Sequence, residues 1–98
     1  MSPGTASTLT TMLTSVVANG TGQPARISGV QVAGKTGTAE QGNGKPPHAW
    51  FTSFAPANDP KVAVAVVVED GGNAGNEAAG GRLAGPIAKA VMEAVLNQ

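Results

Sequence analysis

Apolar positions fall into patterned stretches whose periods differ. From Pro3 to Asn19, Ala6, Leu9, Met12, Leu13, Val16 and Val17 recur at steps of three and four, which marks one face of an amphipathic helix. Ser2 can cap that helix, Pro3 suits its first turn, and Gly20 follows the last turn as a left-handed terminator. Thr8, Thr10, Thr11 and Thr14 lower its intrinsic propensity, so it depends on tertiary packing. After a polar connection at residues 23–29, residues 30–40 (VQVAGKTGTAE) read as an extended strand. Alternation puts Val30, Val32, Thr36 and Thr38 on one side and Gln31, Ala33, Lys35 and Gly37 on the other.

A turn or loop at residues 41–47 leads to a second strand at residues 48–55, with Trp50 and Phe51 facing opposite ways. Asn58-Asp59-Pro60 then closes a hairpin. The third strand, residues 62–69, contains VAVAVVV without polar alternation, the pattern of a strand covered on both faces and internal to its sheet. Yet an antiparallel sheet ordered third-second-first leaves this strand at an edge, an aggregation liability, so its outer neighbour is missing. A glycine- and asparagine-rich loop at residues 70–81 precedes a helix ending near Leu96, with Leu83, Ile87, Val91, Ala94 and Val95 on one face. Pro86 either delays its start or kinks it. The predicted class is α+β: a three-stranded antiparallel sheet flanked by an N-terminal and a C-terminal helix, with no internal repeat.

Composition narrows the functional classes. With 98 residues the chain has room for one small domain that buries proportionally little surface. One Trp, two Phe and no Tyr leave the core to Val, Ala and Leu. Zero formal net charge without a basic cluster removes the electrostatic footprint of a nucleic-acid binder. The absence of cysteine excludes disulfides and thiolate metal sites. No apolar run approaches the roughly 18 residues of a membrane span, and the first residues have neither the cationic nor the apolar region of a signal peptide.

The chemistry concentrates in the first strand, where Lys35, Thr36 and Thr38 are spaced by Gly34, Gly37 and Ala39. By letters alone, Gly29-x-x-x-x-Gly34-Lys35-Thr36 matches a phosphate-binding loop, whose amides and lysine cradle a polyphosphate. That loop requires a strand before its first glycine and a helix from its lysine. Here a Gly-Thr-Gly-Gln-Pro turn precedes it, and Gly37, Gly42, Gly44, Pro46 and Pro47 follow. The acid after the third strand, Asp70, imitates a magnesium ligand only as any strand ending in a polar turn does. The other reading is Lys-Thr-Gly on an exposed strand, a motif of penicillin-binding proteins and serine β-lactamases.

At Lys35-Thr36-Gly37-Thr38-Ala39-Glu40 the chain resembles the transpeptidase domain of high-molecular-weight penicillin-binding proteins, the class B type in particular, and β-lactamases less well. HAWFTSFAPANDPKVAVAVVVE and the terminal helix extend the resemblance over nearly all of the chain. It implies that residues 1–98 are the C-terminal segment of such a domain, part of the serine β-lactamase/transpeptidase-like fold. That fold joins three motifs, of which Ser-x-x-Lys and Ser-x-Asn are absent: none of Ser2, Ser7, Ser15, Ser28 or Ser53 has the required partner. The resemblance therefore implies a peptidoglycan D,D-transpeptidase whose serine lies outside this chain, and no turnover by the chain alone.

Lys35 and Thr38 would be catalytic, and Lys35, Thr36, Gly37 and Thr38 substrate-binding. Lys35 and the two hydroxyls would attract the substrate carboxylate, the Thr38 N–H would form half of an oxyanion hole, and Gly37 would permit close approach. No cofactor or metal is expected. The partners would be a peptidoglycan stem peptide and β-lactams through the complete domain, with the rest of the domain or another copy pairing along the strand of residues 62–68. The location would be the extracytoplasmic face of a bacterial membrane. The alternatives are a nucleotide-binding module on residues 29–36 and a non-enzymatic β-lactam sensor or scaffold of the same fold. Glu40, His48, Trp50, Phe51, Asp59, Asp70, Glu77 and Glu93 are read as structural, because they form neither an acid/base pair nor a ligand cluster.

Overall fold

A computed structural model describes residues 1–39, 42, 44, 48–69 and 80–97. Helix α1 (Pro3–Asn19) starts where the sequence places it, with the Thr5 amide donating to Ser2 Oγ at 3.1 Å. Its threonine hydroxyls stay on the helix surface, those of Thr8, Thr10, Thr11 and Thr14 donating back to the carbonyls of Gly4, Ala6, Ser7 and Thr10. The C-terminus differs from expectation. Gly20 is not left-handed but has φ −117° and ψ −149°, and the amides of Gly20 and Gly22 both donate to the Val16 carbonyl at 3.0 Å. Two amides on one carbonyl end the helix without an αL residue.

A 3₁₀ turn (Gln23–Ala25) leads to a tight turn at residues 27–30, closed by Val30 N–H donating to the Ile27 carbonyl. Gly29, at φ +79°, takes there the backbone conformation that costs glycine least. The first strand therefore begins later than its alternation predicted: β1 is Ala33–Ala39, because Val30 belongs to the turn and the Gln31 carbonyl accepts from Ala57 N–H. Strands β2 (His48–Ala55) and β3 (Val62–Val68) follow the predicted bounds closely. All pairs are antiparallel in the order β1-β2-β3.

Register gives the sheet two unlike faces. Thr36, Phe51 and Val66 line up across the inner face, as do Gly34, Ser53 and Val64. Lys35, Thr52 and Ala65 line up on the outer face, beside Gly37, Trp50 and Val67. Phe51 is wholly buried whereas Trp50 is 39% exposed, as their opposite orientation requires. The third strand is not covered on both sides: its Val62, Val64, Val66 and Val68 are half-buried, and Ala63, Ala65 and Val67 are exposed. Among the described strands it occupies the sheet edge, as the strand order demands.

Pro86 delays the last helix instead of kinking it. A π-helical turn (Gly80–Ala84) precedes α2 (Gly85–Leu96), and Pro86 sits in the first turn of α2, where its missing N–H costs nothing. The face of α2 turned to the core is not the predicted one. Ala84, Gly85, Ala88 and Met92 are buried, while Leu83, Ile87, Val91 and Val95 are exposed. Small residues win this face because the backbone approaches closely: a Cβ on Gly85 would lie 3.2 Å from Pro24 Cβ. The core unites Val17, Ile27, Val32, Phe51, Ala88 and Met92, and no leucine is fully buried among the described residues.

Candidate functional site

Lys35-Thr36-Gly37-Thr38 lies in the middle of β1, and β1 is paired only on its β2 side among the described residues. Its other border therefore offers main-chain donors and acceptors to an extended ligand. Within β1, alternation separates the side chains: Lys35 is exposed on the outer face and Thr36 is 3% exposed on the inner one. Thr38 continues the strand opposite Ala49, so its amide belongs to the same continuous backbone. No helix starts at Lys35 or Thr36, and Gly29 serves a turn six residues upstream. The phosphate-loop reading fails on this geometry, since the chain runs as strand through Lys35 and Thr36 and offers no helix N-terminus there.

Each glycine of the string has its own reason. At Gly34 an added Cβ would sit 2.7 Å from Phe51 Cζ and 3.0 Å from the Thr52 carbonyl, so the ring occupies the space a side chain would need. At Gly37 the nearest atom would be Trp50 Cβ at 3.7 Å, an ordinary contact. Packing demands glycine at 34 and permits a side chain at 37.

The ammonium of Lys35 donates to the Thr36 carbonyl at 2.8 Å, which draws its charge along the strand instead of out into solvent. Beside it a cavity of about 410 Å³ opens on the outer face, lined by Leu13, Lys35, Thr52, Phe54 and Ala65 among others. Thr36 Oγ1 lies 3.1 Å from Thr21 Oγ1. Gly81 presses on the same place, since a Cβ there would collide with the Thr21 carbonyl oxygen and lie 3.7 Å from Thr36 Cγ2. Sequence reasoning missed Thr21 and Gly81, having read both as loop. Their only visible signal was a lone threonine between Gly20 and Gly22, and a Gly80-Gly81 pair before an apolar run.

Of the five serines only Ser53 adjoins β1, opposite Gly34 and turned to the core. Ser53, 5% exposed, donates to Met92 Sδ at 3.4 Å, and Ser2, Ser7, Ser15 and Ser28 are exposed elsewhere. Among the described residues no three metal-ligating side chains converge. His48 is half-buried at the start of β2, opposite Ala39. Glu40, Asp70 and Glu77 lie outside the described residues.

Residues 1–93 match the family described as penicillin binding protein transpeptidase domain. The chain is 52% identical over 101 residues to peptidoglycan D,D-transpeptidase PbpA of Mycolicibacterium smegmatis, which covers all of this chain and 20% of that protein. It superposes on penicillin-binding protein A of Mycobacterium tuberculosis, solved as a ceftriaxone acyl-enzyme complex, with a TM-score of 0.83 and 50% identity over 98% of this chain and 22% of that one. It also superposes on the transpeptidase domain of FtsI4 from Legionella pneumophila, with a TM-score of 0.85 and 37% identity over 98% of this chain and 37% of that domain. The chain thus spans about a fifth of the length of the curated relative it matches.

Proposed function

The chain belongs to the penicillin-binding protein transpeptidase family, and from that membership we propose that it is the C-terminal, substrate-lining segment of a serine-type peptidoglycan D,D-transpeptidase. The observation that carries this reading is the open border of β1 at Lys35-Thr36-Gly37-Thr38. A stem peptide ending in D-Ala-D-Ala would lie along it as an added strand, its amides paired with the backbone of β1. The Lys35 ammonium and the Thr36 and Thr38 hydroxyls would hold its terminal carboxylate.

A serine contributed by the rest of the domain would attack the penultimate carbonyl, forming a serine ester and releasing the terminal D-alanine. Charge then grows on the carbonyl oxygen, where the Thr38 N–H and the serine's own N–H would stabilise it. An amine of a neighbouring stem peptide would take the acyl group and free the serine, completing the cross-link. β-Lactams would enter by the same route, presenting a carboxylate to Lys35 and a carbonyl to the oxyanion hole, and remain as an acyl-enzyme. This chemistry would run on the extracytoplasmic face of the membrane, where peptidoglycan is assembled. The rest of the domain would also cover the outer edge of β3 and the apolar face of α2.

Fluorescent penicillin tests the reading in two arms. The full-length protein should label covalently and cross-link stem peptides, and the isolated 98-residue chain should take no label because the serine and its base are not in it. Labelling of the isolated chain would refute the assignment of the nucleophile. A full-length protein that acylates but never cross-links would be a β-lactam sensor of the same fold.

A further inference from the structure

We infer that Thr21 is a positioning residue for the substrate carboxylate: its hydroxyl donates to Thr36 Oγ1 and so leaves the Thr36 proton for the anion. The inference rests on the carboxylate-binding role given to Thr36 above. A hydroxyl carries one proton and two acceptor positions, so the 3.1 Å contact between the two oxygens has two polarities. If Thr36 donates to Thr21, its only proton is spent and it meets an approaching carboxylate with lone pairs. If Thr21 donates, Thr36 keeps its proton for the carboxylate, and each bond polarises the next. A carboxylate accepts only, so its arrival selects the second arrangement.

The surroundings hold Thr21 where this requires. The amides of Gly20 and Gly22 on either side both donate to the Val16 carbonyl, which fixes the turn. On the far side the Gly81 backbone leaves no room for a Cβ against the Thr21 carbonyl, and the same glycine backs the Thr36 methyl group. Thr36 itself is nearly buried, its carbonyl is held by the Lys35 ammonium at 2.8 Å, and its branched side chain is stiff about χ1. Thr21, in contrast, is exposed, so its hydroxyl can be removed without opening the core.

The test uses the full-length protein and the rate of acylation by fluorescent penicillin, which carries the carboxylate. Thr21→Val should slow acylation about three- to tenfold, the effect of losing one hydrogen bond in a relay to an anion. Thr21→Ser, which keeps the oxygen and drops the methyl, should stay within about twofold of the parent rate, and the melting temperatures of both should match it. In a Thr36→Val background, Thr21→Val should add no further loss, because the two residues act as one unit. The inference is overturned if Thr21→Val labels at the parent rate, if Thr21→Ser is as slow as Thr21→Val, or if the loss persists undiminished in the Thr36→Val background. A parent protein that takes no label removes the transpeptidase reading, and this inference with it.

Discussion

At the scale of single residues, adjacent positions of β1 do unlike work. Lys35 is exposed and folds its ammonium to the Thr36 carbonyl, while Thr36 turns into the molecule. Lys35→Ala in the full-length protein should cut β-lactam acylation about 100-fold, the order seen when a fixed electrostatic partner of the reacting centre is lost. Stopped-flow labelling at several salt concentrations would check it, and an unchanged rate would remove Lys35 from the site. Gly34→Ala makes a different kind of damage. Its Cβ would collide with the buried Phe51 ring, so the variant should lose about 1–3 kcal/mol in a denaturant melt. The sequence offered Lys35 and Thr38 as candidates, but it could not show why Gly34 is glycine, since Phe51 is distant along the chain and near only in the fold.

At the scale of elements, β2 and β3 were legible almost to the residue because both runs are short, rich in β-branched or aromatic residues and bounded by turn residues. The last helix was legible in extent but not in orientation. It carries two apolar stripes: Leu83, Ile87, Val91 and Val95 on one side, and Ala84, Ala88 and Met92 on the other. Periodicity weighs bulk and picks the first, whereas the sheet admits the second because small side chains let the helix come close. Ala88→Leu should therefore cost about 1–3 kcal/mol through overpacking. Ile87→Ala should be nearly neutral in the isolated chain, where Ile87 is 47% exposed. In the full-length protein the same change should cost about 2 kcal/mol or more, if the rest of the domain covers that stripe. Paired thermal melts of the two lengths would decide, and equal losses would count against a covering partner.

At the scale of the whole molecule, the described residues leave apolar surface exposed on the α2 stripe and on the outer face of the sheet around Trp50 and Val67, the latter 42% exposed. Beside them runs the outer edge of β3, which pairs with no other described strand. Exposed apolar area next to a free edge favours association. The isolated 98-residue chain should sediment as oligomers or aggregate at concentrations where ordinary small domains are monomers, and Val67→Lys should shift it toward monomer. Sedimentation velocity showing a monomer with a cooperative melt would contradict this.

The sequence by itself determined the element order, the α+β class, the strand bounds of the hairpin and the Lys-Thr-Gly string on which the family resemblance rests. These depend on local period, turn residues and residue type, which the chain writes in linear order. Tertiary structure alone decided where β1 begins, which stripe of α2 meets the core, that Gly34 yields to Phe51, and that Thr21 and Gly81 converge on Thr36. Each of those depends on which distant residue arrives at a given point and how closely. Contact across the fold is set by the shape of the packed whole, and no pattern within a short window encodes it.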